Sequence, residues 1–219
     1  MSRTTDVDRL PYRATQAAAA YEWIAELPVA AILDNIRSLY NVGSFFRTAD
    51  AIGLRGLHLC GITGRPPHRG ISKTALGAES AVRWEYSADA ILAVERLRTE
   101  GYEIAAIETR VPSVDLFDWE PAFPVCVIFG NEIDGIRPRL SDLADTYVRI
   151  PMLGMKHSLN VATAGGVVMY ELLRKYREKQ NATAARHSRA SEPVIARAPG
   201  RGRQAIRGMS TSTVFAGEG

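Results

Sequence analysis

Short apolar runs alternate with helix-spaced segments along most of this chain, and that rhythm restricts the fold more than any other feature. VAAILDNI from Val29, LRGLHLCGI from Leu54, YEIAAIET from Tyr102, PVCVIFGNE from Pro124 and TYVRIPM from Thr146 all read as strands. Between them, Asn41–Ile52 places Val42, Phe45, Phe46 and Ala49 on one helical face, with Gly53 as a stop. SADAILAVERLRTEG reads as a second amphipathic helix closed by Gly101, and Pro138–Leu143 as a short one. A long last helix is expected over Ser158–Glu178, and an Ala-rich leading helix over Tyr12–Ala25. Strands that alternate with helices in this way predict an α/β fold, a parallel sheet with helices on both faces.

At 219 residues with 46% apolar content, the chain has the size and composition of one buried α/β domain. Residues 1–27 read as an N-terminal extension, 28–179 as the domain and 180–219 as a basic tail. The net charge of +3 is unevenly spread: from Gln180 onward six Arg and two Glu give +4, which leaves the remainder at −1. The tail is rich in Ala, Arg, Gly, Ser and Pro, a composition expected to stay disordered alone. Such an arm either attracts nucleic acid phosphates or is simply solvated. No run approaches the ~20 apolar residues of a membrane span. The N-terminus has no apolar signal core, so a cytoplasmic location is the default expectation. Cys60 and Cys126 each fall inside an apolar run and read as small buried hydrophobes. The four His and two Cys show no ligand spacing, so no metal is expected.

Three polar segments follow apolar strands: NIRSLYNVGSFFRTADAIG from Asn35, IFGNEIDGI from Ile128 and IPMLGMKHSLN from Ile150. In open α/β sheets ligands sit beyond the carboxyl ends of strands, so the three point to one site assembled from distant parts of the chain. No GxGxxG joins the first strand to the first helix, which argues against a dinucleotide pyrophosphate cradle.

Together these segments resemble the three motifs of the SpoU (TrmH-type) family of SPOUT RNA methyltransferases. Asn35 with Asn41–Gly53 is similar to the first, Gly130, Glu132 and Gly135 to the second, and Ile150–Ala164 to the third. KTALGAES from Lys73 is similar to a segment many members carry between the first two. The resemblance runs from Val29 to Tyr176. It implies a C-terminal deep trefoil knot, S-adenosylmethionine as methyl donor, a homodimer, and methylation of a ribose 2′-hydroxyl in tRNA or rRNA. The form of the first motif leans towards guanosine. Many members carry an RNA-binding domain ahead of the catalytic one, and fewer than 30 residues stand there in this sequence. RNA capture is then expected from the dimer surface, the leading helix and the tail. A catalytically inactive knotted RNA-binding protein is the alternative, with methylation of a base or small molecule as a third.

The resemblance also assigns residues. Gly130, Ile150 and Leu159 are expected to line the donor pocket, joined by Glu108 and Thr109, although the two apolar side chains would suit ordinary core packing equally well. Arg47 is the leading catalytic candidate. A guanidinium stays protonated below pH ~12, so it suits bidentate anchoring of the phosphate beside the target ribose better than general base work. Asn35, Glu132, Ser158 and Asn160 complete the site. Glu132 is expected to receive either Arg47 or the first motif's amides, and Ser158 to cap the long helix while facing the reaction. His157 reads as a loop residue. Gly165 and Gly166, adjacent inside a helix, imply close packing at a knot passage or a helix-on-helix dimer contact.

Overall fold

Seven parallel strands form one sheet, in which residues 84–87, 54–60, 27–34, 125–129, 103–107, 146–149 and 114–115 lie side by side in that order. The structure, a computed structural model, describes residues 21 and 23–190. The strands are β1 (Leu27–Asp34), β2 (Leu54–Cys60), β3 (Trp84–Ser87), β4 (Glu103–Ile107), β5 (Val114–Asp115), β6 (Val125–Phe129) and β7 (Thr146–Arg149). The helices are α1 (Leu39–Ile52), α2 (Arg69–Ala75), α3 (Ala90–Thr99), α4 (Pro138–Ser141) and α5 (Val161–Ala190).

Alternation along β1 explains why both faces are covered. Leu27, Val29, Ala31 and Leu33 join one apolar cluster with Phe45 and Phe46 of α1 and with Val168 and Leu172 of α5. Ala30 and Ile32 point the other way, into a cluster with Val94 and Leu97 of α3 and Leu140 of α4. Side chains with a period of two on a strand require this two-sided burial. Cys60 and Cys126 are free and fully buried, and burial pushes the Cys60 thiol up to about 12.

The chain moves from β1 to β2 and β3 on one side, then crosses to β4 and β6 on the other. This reversal creates a switch point beside β1, where open α/β sheets leave a crevice at the carboxyl ends. Because every pairing is parallel, the segments after β1, β4, β6 and β7 emerge at the same edge.

Several elements differ from expectation. Helix α1 begins at Leu39 because the Ser38 hydroxyl accepts from the Asn41 N–H, and it ends at Gly53, whose φ of 63° closes the helix. Helix α2, between β2 and β3, was not expected; it is started by the His68 side chain accepting from Gly70 N–H. Strands β3 and β5 were not expected, and β5 has only two residues to carry a pattern. Helix α5 starts at Val161 and runs to Ala190, so it crosses the expected tail boundary at 180. From 179 to 190 no Gly or Pro interrupts an Ala-bearing stretch, and the first Pro comes only at Pro193. In the expected leading helix, Tyr21 and Trp23–Ala25 form turn and bend rather than helix. The rest of that expectation, and the tail from 191 on, lie outside the described residues.

Gly165 packs inside the chain. A Cβ there would stand 2.3 Å from the Phe45 ring of α1, while Gly166 has nothing within 4 Å. The close approach is therefore between α5 and α1, an arrangement the sequence reading did not consider.

Candidate functional site

A cleft of about 320 Å³ opens at the carboxyl ends of β4, β6 and β7. Its size lies at the small end of the range for small-molecule sites. Glu108 and Thr109 contribute after β4, Gly130 and Glu132 after β6, and Ile150, Ser158, Leu159 and Asn160 after β7. The lining combines apolar walls from Ile107, Ile150, Leu159 and Val161 with peptide groups and carboxylates at the rim. That mixture suits a ligand with a flat apolar ring, a cationic centre and hydrogen-bonding ends. His157, read as a loop residue, also lines the cleft and is exposed.

Gly130 is required by close approach rather than by backbone angle. A Cβ there would fall 2.3 Å from the Gly135 carbonyl carbon and 2.4 Å from Ile136 N. The turn between them is closed by paired backbone hydrogen bonds of Asn131 with Gly135. Asn131 Oδ1 accepts from Ile133 and Asp134 N–H, and Glu108 accepts from Ile136 N–H.

Glu132 receives the first motif's amides. Its carboxylate accepts from Arg37 N–H at 3.0 Å, Ser38 N–H at 3.1 Å and Asn41 Nδ2 at 2.9 Å. Burial alone pushes this carboxyl upward, yet the bonds from Arg37, Asn41 and Ser38 hold it below the usual carboxylate range.

Asn41, a residue of the first motif for which no site role is expected, joins all three segments. It donates to Glu132 and accepts from Asn160 Nδ2 at 3.2 Å through its own Oδ1. Asn160 in turn caps α5, its Oδ1 accepting from Ala162 and Thr163 N–H. The cap is therefore Asn160 and not Ser158, since the helix begins at Val161, three residues later than expected. Asn35 has a φ of 57° and turns the chain after β1. Its carbonyl accepts from Asn131 Nδ2, and its Oδ1 accepts from Ile62 N–H. It lies behind the cleft wall and does not line the cleft.

A second tie between the segments was not legible in sequence. Asp34, fully buried at the end of β1, takes both Nε and Nη2 of Arg137, at 3.0 and 3.1 Å. This bidentate pair fastens the chain after β6 to the end of β1. Any single Asp and Arg a hundred residues apart carry no such signal.

Arg47 is not among the residues that line the cleft. It is exposed on α1 and, among the described residues, has no hydrogen-bond or ion-pair partner. Among the described residues no group of His, Cys, Asp and Glu has the arrangement of a metal site. No helix among them is long and apolar enough to cross a membrane.

The family profile of the SpoU rRNA Methylase family matches residues 28–170. A relative from Aquifex aeolicus, named tRNA (guanosine(18)-2′-O)-methyltransferase, is 30% identical over 148 residues, which are 67% of this chain and 69% of that protein. The crystal structure of the A. aeolicus TrmH/SpoU tRNA modifying enzyme superposes with a TM-score of 0.65 at 26% identity, covering 75% of this chain and 84% of that one. The AdoMet-bound rRNA methyltransferase from Sinorhizobium meliloti gives a TM-score of 0.63 at 30% identity over 68% of this chain. The chain spans only 56% of that longer protein. With the second and third motifs lining one cleft, the first tied to them through Glu132 and Asn41, and the profile covering most of the domain, the chain belongs to the SpoU rRNA methylase family.

Proposed function

We propose that this protein is an S-adenosylmethionine-dependent RNA ribose 2′-O-methyltransferase acting on tRNA or rRNA. The observation that carries this reading is the convergence of Glu108, Thr109, Gly130, Glu132, Ile150, Ser158, Leu159 and Asn160 on one cleft at the carboxyl ends of β4, β6 and β7. The bound donor would supply an electrophilic methyl group on a sulfonium. Ile150 and Leu159 offer flat apolar walls to an adenine, and peptide groups around Gly130 can read its edge. Glu132, held in its charged form by the first motif's amides, adds negative charge at the rim beside a cation.

On the acceptor side, the Arg47 guanidinium anchors the phosphate next to the target ribose bidentately, which orients the 2′-hydroxyl. Asn35 and Asn160 hold the segments in register, and Ser158 lies at the cleft facing the acceptor. The hydroxyl proton passes to that phosphate or to a neighbouring side chain. A tRNA guanosine is favoured as target, supported by the name of the A. aeolicus relative.

The finer architecture follows the same reading. A trefoil knot is supported by β7 lying between β4 and β5 before the chain returns through 150–160 to α5. A homodimer is supported by Leu153 and Met155, which stand almost fully exposed beside the cleft and need a cover. The protein then works in the cytoplasm, where such RNAs are modified. Residues 28–179 form the catalytic domain, and the basic tail adds electrostatic attraction for RNA.

Incubating the protein with labelled donor and unmodified total RNA, then mapping methylated nucleotides by digestion, tests the proposal. Ribose methylation at a defined nucleotide is expected. Donor binding without any ribose methylation would overturn it in favour of an accessory RNA-binding role.

A further inference from the structure

Cations are distributed in two ways on this surface. Arg55, Arg96, Arg137 and Arg174 each sit against a carboxylate. Arg37, Arg65, Arg69 and Lys73 have none within reach among the described residues. The sequence shows the same asymmetry, because between Ile36 and Ala78 the only acid is Asp50. The unneutralised cations occupy the segments that follow β1 and β2, where the side chain of Leu39 fills the space beside Gly64 and Gly70.

Within this basic region, one arrangement goes beyond charge. The Arg65 guanidinium carbon lies over the Tyr86 ring, 4.1 Å from its centroid. The Tyr86 hydroxyl donates to Gly61 carbonyl at 3.1 Å, which fixes the ring against the turn after β2. That turn abuts Asn35, whose Oδ1 accepts from Ile62 N–H and fills the place a Gly61 side chain would take. Asn35 is bonded in turn to Asn131, a residue of the cleft wall. A short, rigid chain of contacts thus connects the Arg65–Tyr86 stack to the cleft.

Both residues are exposed, so the guanidinium has one face on the ring and the other towards solvent. Phosphates approach a guanidinium along its N–H rim, whereas a nucleobase stacks on its plane. The plane held here is free to take a base, and the surrounding cations suit the backbone on either side of it.

We propose that Arg65, supported from below by Tyr86, is a stacking platform for an unpaired RNA base flanking the methylated nucleotide. This rests on the RNA methyltransferase reading and adds to it a binding subsite outside the donor cleft. Arg65 and Tyr86 are positioning residues, and they act on RNA capture rather than on the transfer itself.

Fluorescence anisotropy with two strands of equal length tests it: a single-stranded oligoribonucleotide, and a ribose-phosphate strand without bases. R65A and Y86A are expected to weaken the base-bearing strand about 10-fold, within the range for loss of one stacked base. On the abasic strand the loss should stay near twofold. R65K keeps the charge but not the plane and should resemble R65A, while Y86F keeps the ring but loses the bond to Gly61 and should fall between wild type and Y86A. In turnover with unmodified tRNA, KM for RNA should rise by the same factor with kcat within about twofold. Wild-type affinity in R65K, or equal losses on both strands, would reduce the site to charge attraction and overturn the platform. Should Y86A fold poorly, as judged by its melting temperature and donor affinity, the Arg65 pair alone decides the question. A wild-type protein that methylates no ribose would sink the enzymatic reading, whereas one that methylates with unchanged KM in R65A would sink only the platform.

Discussion

Glu132 shows how much one side chain can organise. Its oxygens accept two backbone amides and one side-chain amide from the first motif, and that motif lies more than ninety positions away in sequence. E132Q keeps the shape but removes the charge behind these bonds. Charge-assisted bonds are worth roughly 1.5–3 kcal/mol, and solvent screening at this exposed carboxylate lowers the expected loss to about 1 kcal/mol. Thermal denaturation should show that drop, with a larger fall in donor affinity measured by calorimetry. At Arg47, bidentate anchoring predicts that R47K raises KM for RNA about tenfold, since lysine offers a point charge and not a fork. Unchanged RNA affinity together with abolished turnover would instead argue against a purely anchoring role. Which segments after β6 and β7 line the cleft was legible in the motifs, but the Asn41 bridge and the Asp34–Arg137 pair were not. A hydrogen bond between distant residues leaves no periodic trace, and only folding shows which partner each one takes.

Among the elements, α5 carries the sharpest contrast. Gly165 lies against Phe45 with no room for a methyl group, whereas Gly166 has open space around its Cα. G165A should destabilise the fold by about 1–3 kcal/mol through overpacking. G166A should be neutral or stabilising by up to about 1 kcal/mol, because alanine is the better helix former. Chemical denaturation of the two variants side by side checks both signs. The adjacency of two glycines was visible in sequence, but it could not say which one is crowded or by what. The same limit applies to helix ends. The Gly53 stop and the buried face of α1 were read correctly because caps and spacing are local. The α5 cap was placed on Ser158 rather than Asn160 because both are good cap residues, and tertiary contacts decided between them. Helix α2 was missed because its Gly/Pro-rich surroundings suppress the local signal, and packing of Ile71 and Ala75 overrides it.

For the molecule as a whole, pH and salt provide the tests. His58 is held below its ordinary value chiefly by burial; Glu85 opposes this and Arg96 adds to it. As pH falls below ~6.5 the unfolded chain takes up a proton that the folded state resists, so stability falls. The slope should not exceed about 1.4 kcal/mol per pH unit for this one group, and H58Q should flatten it in melts between pH 7 and 5. A separate loss follows below ~4.5, as Glu132 and Glu85, both depressed in the folded state, become protonated. The tail is tested by removing residues 191–219, which leaves α5 whole and deletes four Arg and two Glu. RNA affinity at low salt should then fall, and log Kd should depend less steeply on log salt, by about 0.7 for each arginine that met a phosphate. Turnover at saturating RNA should be unchanged.

The sequence by itself determined the alternation of elements, the parallel class of the sheet, the family and the two later motifs that line the cleft. All of these are written in local spacing and in short contiguous motifs. Only the tertiary structure decided the strand order, the bridge through Asn41 and the inward role of Gly165. The physical reason is that these depend on which distant segments share one sheet edge. Burial of apolar faces on both sides of β1 settles that choice, and no local pattern records it.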